Sequence, residues 1–284
     1  MTESQPSNMA LTAAAARAAH LIVDSKPYLF RDEHAAALLG ERAGELIGFH
    51  RGNATHPILL AARAQVTCRS RYAEDVLAAA AGRGVRQYVL LGAGLDSFCW
   101  RSALAPELRV FEVDAPPTQQ WKRAALAAAG LETPATLSFV PADLSEYGLA
   151  AALAEAGFDA GAPTVISCLG VTMYLSGAEI GGVLSFVAGC AAGTELIADH
   201  MLPADLRDPA GDLYVELVAP AAAERGEPWL TFLSPAEVAG LISAHGDFTV
   251  EHVQQRELVP ADEWQRSDSL RPIDLSMVVR AVVR

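Results

Sequence analysis

The chain has 284 residues, of which 51% are hydrophobic and 19% charged, and a formal net charge of −13. Such a chain buries its own core without disulfide staples, which excludes an intrinsically disordered protein. The acidity also argues against a nucleic-acid partner, because neutralising phosphates takes clustered Lys and Arg, and the 21 present are scattered.

Residues Met1 to Met9 are polar and lack the apolar core of a signal peptide. From Leu11 to Val23 the Ala, Leu and Arg content predicts a helix. The alanine run Ala10 to Ala19 is too short and too weakly apolar to span a bilayer. A soluble, cytoplasmic monomer or homodimer without a membrane partner is therefore expected. Pro27 interrupts the first helix, a second covers Glu33 to Leu39, and helical stretches run from Pro57 to Ala80. No strand signal precedes residue 85, so residues 1–84 read as a helical cap or lid over a core of 85–284.

In that core the texture changes. The short apolar runs Gln87–Leu91, Arg109–Val113, Leu137–Val140, Thr164–Cys168 and Thr194–Ala198 fit buried parallel strands. Helical segments alternate with them at Ala115–Ala129, Leu149–Ala156 and Glu179–Cys190. Residues 200–243, broken by Pro203, Pro209, Pro220 and Pro228, read as an inserted substrate region. Phe248–Val250 and Met277–Val283 follow with no clear crossover helix, which predicts an antiparallel pair at the sheet edge. The fold class is α/β: a Rossmann-like, mostly parallel seven-stranded sheet with helices on both faces. Ligands of such sheets bind beyond the carboxyl ends of the strands, so the residues after each run carry the functional signal.

The first strand ends in Leu91-Gly92-Ala93-Gly94-Leu95-Asp96, where glycines permit a sharp turn and close approach to a ligand. Asp114 ends the second strand roughly 20 positions beyond, where an acid meets a ribose hydroxyl pair. A dinucleotide fingerprint would place a third glycine where Ser97 stands, and no other phosphate loop is visible. An adenosine cofactor without phosphates, such as S-adenosyl-L-methionine, fits better. Asp143, after the third strand, suits an adenine amino group with Leu144 against the ring, or equally a helix cap. Arg69 and Arg71 lie shortly before the first strand, and a guanidinium fork suits an amino-acid carboxylate.

These stretches resemble the leucine carboxyl methyltransferase family, in its bacterial branch of small-molecule O-methyltransferases. The similarity runs from about residue 11 to the end. Its motifs are Cys68-Arg69-Ser70-Arg71-Tyr72, the glycine loop through Ser97, Phe111-Glu112-Val113-Asp114-Ala115-Pro116, Pro141-Ala142-Asp143-Leu144, Gly170-Val171-Thr172-Met173-Tyr174-Leu175 and Glu227-Pro228-Trp229-Leu230-Thr231-Phe232. The resemblance implies that Arg69, assisted by Arg17, meets the carboxylate of the cofactor's methionine moiety. It implies that Gly92 and Gly94 pass beneath that moiety, with Ala93, Asp96 and Leu169 as further cofactor contacts, that Asp114 holds the ribose, and that Asp143 and the backbone of Leu144 hold adenine. Leu169 departs from the family, which often has an acid there.

For the acceptor, His200 is the best-placed titratable base, with Tyr174 and Asp199 beside it, and Tyr28, Phe30 and Trp229 are candidates for an aromatic wall. His20 and His34 are further pocket candidates in the cap. Neither the cysteines (Cys68, Cys99, Cys168 and Cys190) nor the histidines show metal-ligand spacing, so no metal is expected. The expected activity is methyl transfer to a carboxyl or hydroxyl oxygen of a small secondary metabolite. Transfer to carbon or nitrogen, as on an indole, is the nearest alternative. A nicotinamide oxidoreductase and a non-catalytic binding protein are alternatives of other classes; Ser97 and the lack of a Tyr-x-x-x-Lys pair count against the former.

Overall fold

The computed structural model describes residues 6–145 and 148–284. Four helices come first: α1 (Asn8–Val23), α2 (Ala35–Leu38), α3 (Ala43–Gly52) and α4 (Pro57–Gly82). Ser7 caps α1, its hydroxyl accepting from the Ala10 amide at 3.1 Å, which satisfies one of the free N–H groups of the first turn. The helix expected over 33–39 is shorter. It gives way at Gly40, whose φ of +55° an alanine would resist, and a 3-10 turn leads into α3. The last helical stretch is one 26-residue helix that opens with Pro57 at its first turn.

Strands then alternate with helices: β1 (Gln87–Leu91), α5 (Phe98–Arg101), β2 (Arg109–Asp114), α6 (Pro116–Ala128), β3 (Leu137–Pro141), α7 (Leu149–Glu155), β4 (Thr164–Cys168), α8 (Gly177–Ala188) and β5 (Glu195–Met201). After α9 (Pro209–Ala223) and α10 (Pro235–Ser243) come β6 (Phe248–Gln254) and β7 (Ser276–Val283). The sheet order is β3-β2-β1-β4-β5-β7-β6. The first five strands pair in parallel, while β7 runs antiparallel to both β5 and β6. The predicted edge pair exists, with β7 rather than β6 next to the parallel strands.

Side chains of β1 alternate between two cores. Tyr88 and Leu90 face Leu77 of α4 and Phe98, whereas Val89 and Leu91 face Phe111, Ile166 and Val187. A third cluster joins Leu11, Leu38 and Ile47 of the N-terminal helices to Leu95 of the glycine loop and Leu126 of α6. The sheet order reverses between β1 and β4, and at such a switch point the loops after the two strands diverge and leave a crevice. No helix among the described residues is long and apolar enough to cross a membrane.

Candidate active site

A cavity of about 270 Å³ opens at that switch point. Its floor is Leu91-Gly92-Ala93-Gly94, its walls carry Arg17 of α1 and Arg69 of α4, and Asp114, Leu169 and Gly170 lie at its rim. Ala10, Ala13 and Ala16 of α1 roof it. Small residues are required there, because a Cβ on Gly94 would already come within 3.2 Å of the Ala10 methyl. The roof is pinned where the Met9 amide donates to Glu227 Oε2 at 3.2 Å.

Gly92 and Gly94 take φ of +65° and +52°, and a Cβ on Gly92 would overlap Cγ2 of Val171. The turn is held from below, with the Ala93 amide donating to the Val113 carbonyl at 3.0 Å and the Gly94 amide to Asp114 Oδ2 at 2.5 Å. The other oxygen of Asp114 accepts from the Ala115 amide at 2.7 Å. Burial raises the Asp114 pKa, and these two amides pull it back. An ionised carboxylate can accept about four hydrogen bonds, so about two acceptor sites remain for a diol. Asp96 Oδ1 accepts from the Phe98 amide at 2.6 Å and caps the turn beyond the loop.

Both cavity arginines are anchored by buried acids. Arg17 Nε donates to Asp32 Oδ2 at 2.8 Å and its Nη2 to the Leu95 carbonyl at 2.7 Å. Asp32 also accepts from the Ser97 hydroxyl at 2.5 Å, and Ser97 accepts from Arg101 Nε at 2.9 Å. That gives Ser97 a purpose in place of the third glycine: it ties the loop to the cap. Burial opposes the Asp32 charge, but Arg17, Arg101 and Ser97 outweigh it and lower its pKa. Arg69 Nη1 donates to Asp199 Oδ2 at 2.6 Å, whereas Arg71 lies away from the cavity and pairs with Asp75 at 2.8 Å.

The far end of the cavity is formed by Met173, Tyr174, Met201, Tyr214 and Trp229, with Gln65 beside them. Trp229 Nε1 donates to the Tyr174 hydroxyl at 3.2 Å, and the Trp229 and Tyr214 rings lie 18° from parallel. Burial drives the Tyr174 phenol well above its ordinary pKa and pushes Tyr214 up to about 12. Tyr174 thus lies in the cavity, as expected of it, and burial favours its protonated, donor form. No histidine, lysine or cysteine lines the cavity among the described residues.

Other expected residues lie elsewhere. His200 belongs to β5, which extends to Met201 and not merely to Ala198. Its Nδ1 hydrogen-bonds the Leu233 carbonyl at 2.8 Å, and the ring lines a separate apolar cavity between the sheet and α8 and α10. Burial lowers its pKa. The base and substrate roles expected of His200 are corrected accordingly. Its neighbour Asp199 also borders that second cavity, but its carboxylate accepts from Arg69 Nη1 at 2.6 Å. Tyr28 and Phe30 are also corrected: the Tyr28 hydroxyl donates to the Leu21 carbonyl at 3.0 Å, and Phe30 packs beneath the Arg101 guanidinium, 4.4 Å from the ring centroid. His20 is buried against Asp24 at 2.8 Å, outside the cavity, and His34 is not among the cavity residues. Asp143 and Leu144 lie beyond the cavity lining; Asp143 Oδ1 accepts from the Ser145 amide and hydroxyl, at 2.9 and 2.7 Å, in a local turn.

Sequence reasoning missed Tyr214, Met173 and Met201, each an ordinary core residue type in its element, and Gln65, a polar residue buried on α4 that no local pattern marks. It also missed the alanines of α1, whose only signal is the run of small residues.

The glycine-floored cavity with its two guanidinium groups can be set beside known proteins. Residues 10–188 match the family model for leucine carboxyl methyltransferase. The chain belongs to that family. This methyltransferase is 32% identical over 216 residues to a Bacillus subtilis (strain 168) protein named "Putative S-adenosyl-L-methionine-dependent methyltransferase YktD", covering 75% of this chain and 71% of that one. A similarly named Mycobacteroides abscessus protein is 39% identical over 170 residues, covering 60% of this chain and 55% of its own length. The fold of the methyltransferase is shared with a "putative methyltransferase" of Thermobifida fusca YX, at TM-score 0.62 and 21% identity, over 100% of this chain and 97% of that one. A DUF574 family protein of Streptomyces avermitilis matches at TM-score 0.62 and 20% identity, over 95% and 97%. The cofactor of the methyltransferase is S-adenosyl-L-methionine, and family membership removes the oxidoreductase alternative.

Proposed function

We propose that the protein methylates an oxygen of a small molecule, and that the acceptor is a carboxylate joined to an apolar or aromatic body. The observation that carries this reading is the chemistry of the cavity's far end. Its titratable residues there are phenols held protonated by burial, and the acids, Glu74, Asp96 and Asp114, belong to the opposite end. Among the described residues no carboxylate, imidazole or amine lines that end, which favours an acceptor that arrives already ionised. A carboxylate does so at neutral pH; a simple phenol or an indole does not.

Bound S-adenosyl-L-methionine supplies a methyl group on a sulfonium, an electrophile that needs no further activation. The residues then bind and orient. Gly92, Ala93 and Gly94 give a floor without side chains in the way, and Asp114 has acceptor capacity left for the ribose hydroxyls. Arg69 and Arg17 take the amino-acid carboxylate, and Asp96 and the Leu169 backbone flank the same end. Tyr174 receives a hydrogen bond from Trp229, so its own proton is free to hold one oxygen of the acceptor. Met173, Met201, Tyr214 and Trp229 exclude water and fix the acceptor body. Orientation of this kind is worth roughly 7–11 kcal/mol of barrier.

The test is mass spectrometry for methyl ester formation across a panel of apolar carboxylates, phenols and indoles, with kcat/KM followed from pH 5 to 9. Carboxylates should be the substrates, with a rate flat across neutral pH. Turnover confined to indoles, or a rate rising with a phenol's ionisation, would contradict the proposal.

A further inference from the structure

Arg69 is held in an unusual way. It lines the cavity, yet among the described residues its only hydrogen bond is from Nη1 to Asp199 Oδ2, at 2.6 Å. Nε and Nη2 are left without partners among the described residues, the donor nitrogens of one planar fork. Asp199 does not line this cavity, and its side chain is only 1% exposed. Its other oxygen accepts from the Gly170 amide at 2.6 Å, and its backbone carbonyl accepts from the Thr172 hydroxyl at 2.5 Å. One residue of β5 thus grips both α4's guanidinium and the loop after β4. Gly170 completes the seat: at φ +73° it presents bare backbone to the arginine, and a Cβ would overlap the guanidinium.

Physical chemistry gives this clamp a consequence. A long cationic side chain free in a cavity loses rotamer freedom when it binds, which weakens the ligand. A buried carboxylate that takes one end of the fork removes that loss beforehand and fixes the direction of the other donors. We propose that Asp199 is a positioning residue: it orients Arg69 for the cofactor's carboxylate and couples that contact to the 170–172 loop, which leads into the acceptor wall at Met173 and Tyr174. The inference rests on the reading of Arg69 as a cofactor ligand.

The test is calorimetric titration of S-adenosylhomocysteine into the wild type, Arg69→Met, Asp199→Asn and the double variant, with folding checked by circular dichroism and Tm. Asparagine keeps the shape and can still accept from Gly170, but it turns an amide donor toward the guanidinium. Each single variant should weaken binding by about ten-fold or more, the worth of one charged hydrogen bond. The double variant should be no weaker than the weaker single, because both act through one contact. A general structural role for Asp199 would instead give additive losses, and that result overturns the proposal. So does wild-type affinity in Asp199→Asn when Arg69→Met is weakened. Wild-type affinity in Arg69→Met would overturn the reading of Arg69 itself, and the inference with it. Should Asp199→Asn fail to fold, Asp199→Glu carries the same cycle, since a longer stem displaces the guanidinium while keeping the charge.

Discussion

At the scale of single residues, backbone demands were more legible than side-chain directions. Gly92, Gly94 and Asp114 stand out in the sequence because a glycine turn followed by an acid is a local pattern, and all three lie at the cavity. Direction depends on register, which sequence fixes only to within a residue. Ending β5 three residues early made Asp199 and His200 look equivalent, and the chemically obvious base was the one facing away. His200→Gln should therefore leave kcat within about two-fold of wild type, checked in the same methyl-transfer assay; a loss of roughly a hundred-fold would mean the imidazole takes part after all. Gly92→Ala forces a left-handed φ on a residue with a Cβ, at about 1–2 kcal/mol, and adds an overlap with Val171. A Tm drop of roughly 2–8 °C, with weaker cofactor binding, is the expected readout in a melting experiment.

Elements were legible where apolar periodicity and capping agree. β1 and β4 match their sequence signals residue for residue. α8 starts earlier than its apolar run suggests because Ser176 and Glu179 form a capping box, with the Glu179 carboxylate accepting from the Ser176 amide at 2.5 Å. Ser176→Ala should cost about 1 kcal/mol. That corresponds to roughly 2–4 °C in Tm for a domain of this size, with no change in cofactor affinity, since α8 lies behind the sheet from the cavity. The region 200–243 was harder to read. Of its five prolines, Pro209 and Pro235 start helices, Pro220 is internal to one, and Pro203 and Pro228 lie outside helices, while the side chains that finish the far wall of the cavity, Tyr214 and Trp229, come from a helix and a loop brought together only by tertiary packing. A periodic pattern carries no information about such a meeting.

Across the whole molecule, the helical N-terminal quarter carries a network of buried charge of its own. His50 sits beside Arg63, which is itself paired with Asp24 at 2.8 Å, and Asp24 also binds His20. Burial, then the charge of Arg63, lowers the His50 pKa from 6.5 to about 4, against the opposing pull of Asp24. A base whose folded pKa is depressed favours the folded state above its unfolded pKa, and that contribution is lost as pH falls toward the folded value. Stability should therefore decline between pH 6.5 and about 4, and His50→Gln should flatten that part of a Tm-versus-pH curve. An unchanged slope would assign the acid sensitivity to other groups.

Cofactor binding in the cavity at the switch point, with Asp114 facing the ribose, is the central expectation. The most direct measurement is the affinity of S-adenosylhomocysteine for the wild type and for Asp114→Ala, with folding verified by Tm. Loss of the ribose contacts predicts binding weaker by about ten-fold or more in a folded variant. Equal affinity in the two proteins would contradict it.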